Sequence, residues 1–266
     1  MMILHFFRDL FEVGLVATGA FLFLSLTMAT EVGYRLGRMT VVKRSGKSEE
    51  ASGISTLTTG MVALLAFTLS LSISFAQNRY EARRGLVLAE ANAIGTAWLR
   101  TKLIEGDEGP AIAAKIEDYA KVRLDFTIAA SDADVPTLVA RTNTLQNDIW
   151  RTTQVVAHRS PSPVTTALVN ALNDMFDDST SQRFAYESSV PAELMLALYF
   201  GALLTIGALG YQFGLAGKRQ VVLSSLLLLM WSGGMLLIVD LSEPRRGDIR
   251  VDAEPLVWTI QGFGQK

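Results

Sequence analysis

A run of 28 residues without a formal charge, from Ala51 to Asn78, constrains this chain more than any other feature. A helix needs about 20 such residues to cross a hydrocarbon layer of about 30 Å. The next residues, up to Arg100, contain no proline and remain rich in helix-forming types, but they are charged. We therefore predict one long helix whose first half crosses a membrane and whose second half, too polar for lipid, continues into water.

Three further uncharged runs have the length of membrane-spanning helices: Val13 to Thr30, Leu194 to Gly217 and Gln220 to Val239. The first is not expected to be a cleaved signal peptide, because it lacks a strongly basic start and a second span follows directly. Between the first two spans, Arg35 to Glu50 is basic and contains Ser and Gly, which predicts a solvated loop. In the third span, Gly207, Gly210 and Gly214 are expected to permit close helix packing.

About 110 residues after Gln77 are polar, and their apolar side chains recur at helical spacing. We predict three helices there, broken at Gly106 to Pro110, at Pro136 and at the SPSP sequence of residues 160–163. The predicted fold is an all-α integral membrane protein with four transmembrane helices and a helical aqueous domain between the second and the third. The expected parts are 1–77 (spans one and two with the basic linker), 78–190 (helical domain), 191–240 (span hairpin) and 241–266 (tail).

Composition excludes several classes of function. A formal net charge of −2, without a basic run interleaved with aromatic residues, argues against a nucleic-acid partner. The chain has no Cys and two His, so neither a thiolate metal site nor a cofactor site is expected. The acidic run Asp174, Asp177 and Asp178 is interpreted as a solvated helix face, and no enzymatic activity is predicted.

The second span has one face of small and weakly polar side chains, whereas Leu57, Leu64 and Phe75 fall on the other side. One interpretation is helix packing, because small residues let backbones approach closely in lipid. The other is the wall of a pore, because polar side chains in a span usually face protein or water. The residues of this face, called the small face below, are Ser55, Thr59, Ala63, Ala66, Ser70, Ser74 and Gln77.

Charged residues beyond the spans are predicted to form a structural polar network. Glu90 shares a helix face with Arg83 and Arg100, either of which is its expected partner. Asp240 lies at a membrane boundary, where an interfacial cap or ion pair is favoured over a role in transport. Arg250 follows a Pro and a Gly that bracket two arginines, a pattern that predicts a shaped turn rather than a free tail.

Two segments, EANAIGTAWLR (90–100) and DLSEPRRGDIRV (240–251), resemble the uncharacterised bacterial bestrophin-like membrane proteins. The order of two spans, a helical middle and two spans agrees as well. Because bestrophins are pentameric anion channels with a helical cytosolic part, the resemblance implies a bacterial inner-membrane protein that associates with itself. The matching residues are Glu90, Ala91, Arg100, Asp240, Pro244, Gly247, Ile249 and Val251.

Two functions remain open at this stage. In the first, the protein is a homo-oligomeric ion channel whose second span lines the axis, with Arg79, Arg83 and Arg84 attracting inorganic anions at its exit. In the second, it is a non-conducting scaffold or sensor whose helical domain binds a partner. Seven basic residues lie in the loops after spans one and three, and ten lie on the opposite side. The weight given to short loops favours the first side as cytoplasmic, whereas the total and the resemblance favour a cytoplasmic middle domain.

Overall fold

The computed structural model describes residues 14–43, 48–188 and 191–264. Within these residues the chain forms eight α-helices and no strand, which confirms the all-α class. The helices are α1 (Leu15–Lys43), α2 (Ser48–Thr101), α3 (Glu108–Ile128), α4 (Val135–Arg159), α5 (Pro163–Glu187), α6 (Ala192–Ala216), α7 (Val221–Ser242) and α8 (Glu254–Phe263).

Four of these helices are long and apolar enough to cross a membrane: α1, α2, α6 and α7. Helix α2 is uninterrupted over 54 residues, which corresponds to a length of about 80 Å at 1.5 Å per residue. That is well over twice the thickness of a hydrocarbon layer of about 30 Å. The prediction of one helix that spans and then leaves the membrane agrees with this geometry.

The prediction of a loop from Arg35 to Glu50 is wrong over most of its length. Helix α1 continues to Lys43, and α2 already begins at Ser48; residues 44–47 lie outside the described part of the chain. Helical structure persists through the charged residues because Arg35 Nε donates to Glu31 Oε1, one turn earlier, at 2.7 Å. Pairs at this spacing stabilise a helix.

The chain divides into two compact units. The first comprises Met1–Gln77 and Val190–Ser242, and therefore contains α1, the first part of α2, α6 and α7. The second comprises Asn78–Ser189 and Glu243–Lys266, with the rest of α2, α3, α4, α5 and α8. The C-terminal tail thus belongs to the helical unit.

Glycines determine how closely α1 and α6 pack in the first unit. A Cβ on Gly210 would overlap the carbonyl oxygen of Thr30, and one on Gly214 would overlap that of Tyr34. The partners advance by four residues on both helices, so α1 and α6 run parallel. Lipid provides no hydrophobic force between helices, so such close contact is a main source of association energy in a membrane. The packing role expected for these glycines is confirmed.

The second unit has an ordinary hydrophobic core, to which every one of its helices contributes. Helix α8 was not predicted. It packs on α2, where Thr259 Oγ1 donates to the Ala91 carbonyl at 3.2 Å and the Phe263 ring lies 5.0 Å from that of Trp98. The fully buried core includes Val87, Ile94, Ile112, Ile116, Tyr119, Phe126, Ile149, Leu168, Leu172, Met175 and Leu256.

We predict that Gly210→Ala destabilises the first unit, because the added methyl group forces α1 and α6 apart. Overpacking of this kind costs about 1–3 kcal/mol. The measurement is the thermal unfolding midpoint of the purified protein in detergent. Gly60→Ala in α2 is the control, since a Cβ there meets no atom within 4 Å; equal midpoints for the two variants would contradict the packing model.

Candidate functional site

Within the first unit, α2 packs through one face only. Thr58, Leu65, Ser72 and Ala76 are buried there. Leu65 lies beside Gly201 of α6. In the same way, Leu69 lies beside Gly234 of α7, so glycines again receive the larger side chains of α2.

The small face is a different face of α2. Thr59, Ala63, Ala66, Ser70, Ser74 and Gln77 are all exposed in the single chain. Ser55 differs, because it is half-buried and its Oγ accepts a hydrogen bond from Gln212 Nε2 of α6 at 2.9 Å. The packing interpretation of the small face, if it refers to contacts inside one chain, therefore applies to Ser55 alone.

A third face of α2 is exposed as well, but its side chains are large and apolar. It carries Leu57, Leu64, Phe67 and Phe75, each more than half exposed. Such side chains are those expected toward lipid tails. The two exposed faces of this helix are thus different in chemistry, one large and apolar and the other small and weakly polar.

In the second unit, α2 carries a buried ion pair. Arg123 Nε of α3 donates to Glu90 Oε1 at 2.5 Å, and Arg123 Nη2 lies 3.3 Å from Glu90 Oε2. The side chains are 2% and 0% exposed. Glu90 is therefore paired with Arg123, rather than with Arg83 or Arg100 as predicted from their shared face on the helix.

Other buried polar groups complete the hydrogen bonding of this pair. Arg123 Nη2 also donates to Gln182 Oε1 of α5, and Gln182 Nε2 donates in turn to Thr127 Oγ1 at 3.0 Å. Tyr119 lies nearby, and burial raises the pKa of its phenol, so the group stays neutral. A buried charge is tolerated only when its remaining hydrogen-bonding capacity is satisfied in this way.

Two other predicted members of the polar network have hydrogen bonds of their own. Arg100 Nη1 donates to the carbonyl of Ala167 in α5, and Arg250 Nε donates to the Gly247 carbonyl at 2.9 Å. The second bond closes the turn expected from the Pro and Gly in this segment. Arg83 is buried on α2 in the second unit, and Asp240 is buried in the last turn of α7; their roles stay predictions.

Arg245, to which the sequence assigned no role, is buried in that turn. Its Nη1 donates to the Phe126 carbonyl at 2.8 Å, at the end of α3, where a cation is favoured by the helix dipole. Its guanidinium also lies 4.6 Å from the ring of Phe126 and 5.1 Å from that of Tyr186. Burial raises the pKa of Tyr186 to about 12, even though Arg245 opposes the shift.

The acidic run of α5 borders a cavity of about 380 Å³. Burial, followed by the charges of Asp174 and Asp177, raises the pKa of Asp178. Within the described ranges, no group of three or more His, Cys, Asp or Glu side chains has a geometry that could hold a metal ion. The cavity is lined by Ala93, Thr96, Ala171, Asp174, Asp177 and Asp178.

We predict that Glu90→Gln destabilises the protein strongly, because it leaves the Arg123 charge buried without a counter-charge. Such a change costs about 3–5 kcal/mol. The measurement is the thermal midpoint, with Asp118→Asn as the control, because Asp118 pairs with Lys121 on the exposed surface. Adding Arg123→Met to Glu90→Gln should cost less than the sum of the single changes; an unchanged midpoint for Glu90→Gln would refute the structural role.

The fold is found in solved structures of distant sequence. One crystal structure of a bacterial bestrophin homologue from Klebsiella pneumoniae matches with a TM-score of 0.60 at 17% identity, covering 93% of this chain and 95% of that one. A variant of that homologue matches with a TM-score of 0.61 at 17% identity, covering 94% and 99%. Among curated proteins, none matches this chain.

The family model described as the bestrophin-like domain matches residues 26–256, which is most of the chain and includes both segments that carried the resemblance. The exposed small face of α2, the buried Glu90 and the turn after α7 all fall within the matched range. On this evidence, the protein belongs to the bestrophin-like family.

Proposed function

We propose that this protein is the subunit of a homo-oligomeric, bestrophin-like channel for inorganic anions, with the small face of α2 lining a water-filled axis. The observation that carries the proposal is the difference between the two exposed faces of α2 in the first unit. Within lipid, an exposed helix face gains from large apolar side chains. The small face lacks them over the whole depth from Thr59 to Ser74, while the neighbouring face has them.

A ring of identical chains is the natural way to enclose such a face. Four spans in one chain provide too few walls for a pore, whereas closed rotational symmetry repeats one helix around an axis. Membership of the bestrophin-like family supports self-association in a membrane. The proposal therefore places one copy of the small face from each subunit around the axis.

Charge at the end of the span favours anions, but through fewer residues than the sequence suggested. Arg83 is buried, so it is not available to line water in this chain. Arg84 is exposed, continues the direction of the small face, and has only a weak contact with Glu81 at 3.9 Å. We assign to Arg84 the electrostatic attraction of anions.

We predict that Ala63→Trp lowers the rate of ion flux into reconstituted vesicles by about tenfold or more, because a bulky ring at a narrow axis closes the pore. Leu64→Trp is the matched control, at the same depth but on the large apolar face. We also expect cysteine at Ala63 or Ala66 to react with a small water-soluble thiol reagent and cysteine at Leu64 to stay unreactive. The chain has no native cysteine to interfere.

The opposite pattern would remove the channel proposal. If cysteines at Thr59, Ala63, Ala66 and Ser70 all stay unreactive while cysteine at Gln77 reacts, the small face is a dry seam between chains. A purified particle that is monomeric would also remove the channel proposal. The scaffold or sensor function would then take its place.

We predict that Arg84→Glu shifts the reversal potential of the current toward cation selectivity, because the change replaces a positive charge at the exit with a negative one. The measurement is the current across a planar bilayer with a salt gradient. Arg151→Glu, an exposed residue of α4, is the control. An unchanged reversal potential would mean that Arg84 lies away from the ion path.

We further propose that the protein resides in a bacterial inner membrane with its helical unit on the cytoplasmic side. The four crossings then place the turn between α6 and α7 on the opposite side. Cysteine at Ser162, in the break between α4 and α5, should be labelled only from the cytoplasmic side of membrane vesicles. Cysteine at Gln220 should be labelled only from the other side, and labelling of both from one side would contradict this topology.

A further inference from the structure

We propose that the first unit binds the phosphate group of an anionic phospholipid at the end where α1, α6 and α7 meet. Among the side chains that the structure describes at this end, four are cations, Arg35, Arg38, Lys218 and Arg219, and one is a carboxylate, Glu31. The proposal goes beyond ion conduction and does not depend on it.

The cations are held in place by contacts within the unit. Arg219 Nη1 lies 3.1 Å from Glu31 Oε2, and its Nη2 donates to Glu31 Oε1 at 3.2 Å. The Arg219 guanidinium is also stacked 4.4 Å from the centre of the Tyr34 ring. Arg35 bonds the same carboxylate from the next turn of α1. A planar guanidinium that is already oriented loses less freedom when it binds a phosphate.

Two further cations at the same end, Arg38 and Lys218, form no ion pair among the described residues. Arg38 has its guanidinium against Gly217, which ends α6 in a left-handed conformation with φ 68°. Lys218 follows Gly217 directly and is exposed. Among the residues that the structure describes, no carboxylate lies within ion-pair distance of Arg38 or Lys218. The described side chains of this end therefore have an excess of positive charge.

Exposed apolar side chains occur on the same helix segments as these cations. On α1 they are Val32, Leu36 and Met39, and on α7 they are Val221 and Val222. A basic group next to exposed apolar surface at the end of a span matches both parts of a phospholipid, the phosphate and the start of the acyl chains. Free phosphate would satisfy the cations only, so the apolar neighbours favour a lipid as the source of the anion.

The test is lipid binding to the purified full-length protein in detergent, measured by native mass spectrometry and by the shift in thermal midpoint. The probes are phosphatidylglycerol, phosphatidylcholine with the same acyl chains, and inorganic phosphate. We expect phosphatidylglycerol to bind in preference to phosphatidylcholine. The double change Arg38→Gln with Lys218→Gln should weaken phosphatidylglycerol binding by about fivefold per cation removed.

The matched control is Lys121→Gln with Arg151→Gln, which removes two exposed cations from the helical unit. It should leave lipid binding unchanged. Equal binding of the two lipids, or equal weakening by the two double variants, would overturn the site. If inorganic phosphate raised the thermal midpoint as much as phosphatidylglycerol does, the assignment to a lipid would be overturned. Each of these outcomes leaves the channel proposal intact, because ion flux is not the readout.

Discussion

The structure depends on one uninterrupted helix that has to satisfy lipid, protein and water along its length. A helix can do this because its backbone hydrogen bonds are internal, so every face is free to meet a different environment. In the first unit, α2 places buried residues such as Leu65 against α6 and α7, large apolar residues such as Leu64 on a second face, and small residues such as Ala63 on a third. Because its third face is small and exposed, this span is a candidate pore wall.

The two units are stabilised by different interactions, which follow from their different surroundings. In the first unit, glycines such as Gly210 and Gly214 bring the backbones of α1 and α6 together, because burial of apolar surface provides no association energy within lipid. The second unit has a conventional hydrophobic core around Ile94 and Ile116. The Glu90–Arg123 ion pair is buried in this unit and connects α2 to α3. Breaking it costs free energy, because one charge is then left buried without a partner.

Sequence reasoning succeeded where a feature depends on local pattern. The uncharged runs predicted four spans, and apolar spacing together with Pro136 and the SPSP break predicted α3, α4 and α5 to within a few residues. The end of α1 was missed because charges were taken to mark a loop, whereas Glu31 and Arg35 pair along the helix surface. Helix α8 was missed because it has only 10 residues, too few to show a clear helical period, and follows a turn.

The partner of Glu90 was missed for a different reason. Arg123 lies 33 positions away, and nothing in its neighbourhood distinguishes a buried arginine from a solvated one. The same is true of Arg245, whose partners are backbone carbonyls at the end of α3. Both assignments require knowledge of which helices pack together. In contrast, the small face of α2 was visible in the sequence, because helical periodicity alone places its residues on one side.

In the proposed channel, copies of this chain surround an axis with the small face of α2 innermost. The most direct measurement is a three-dimensional reconstruction of the purified full-length assembly in a lipid environment. We expect a closed ring of identical subunits, with Ala63 and Ser70 of every copy facing a continuous path of solvent. A monomer, or a ring in which another helix lies innermost, would contradict it.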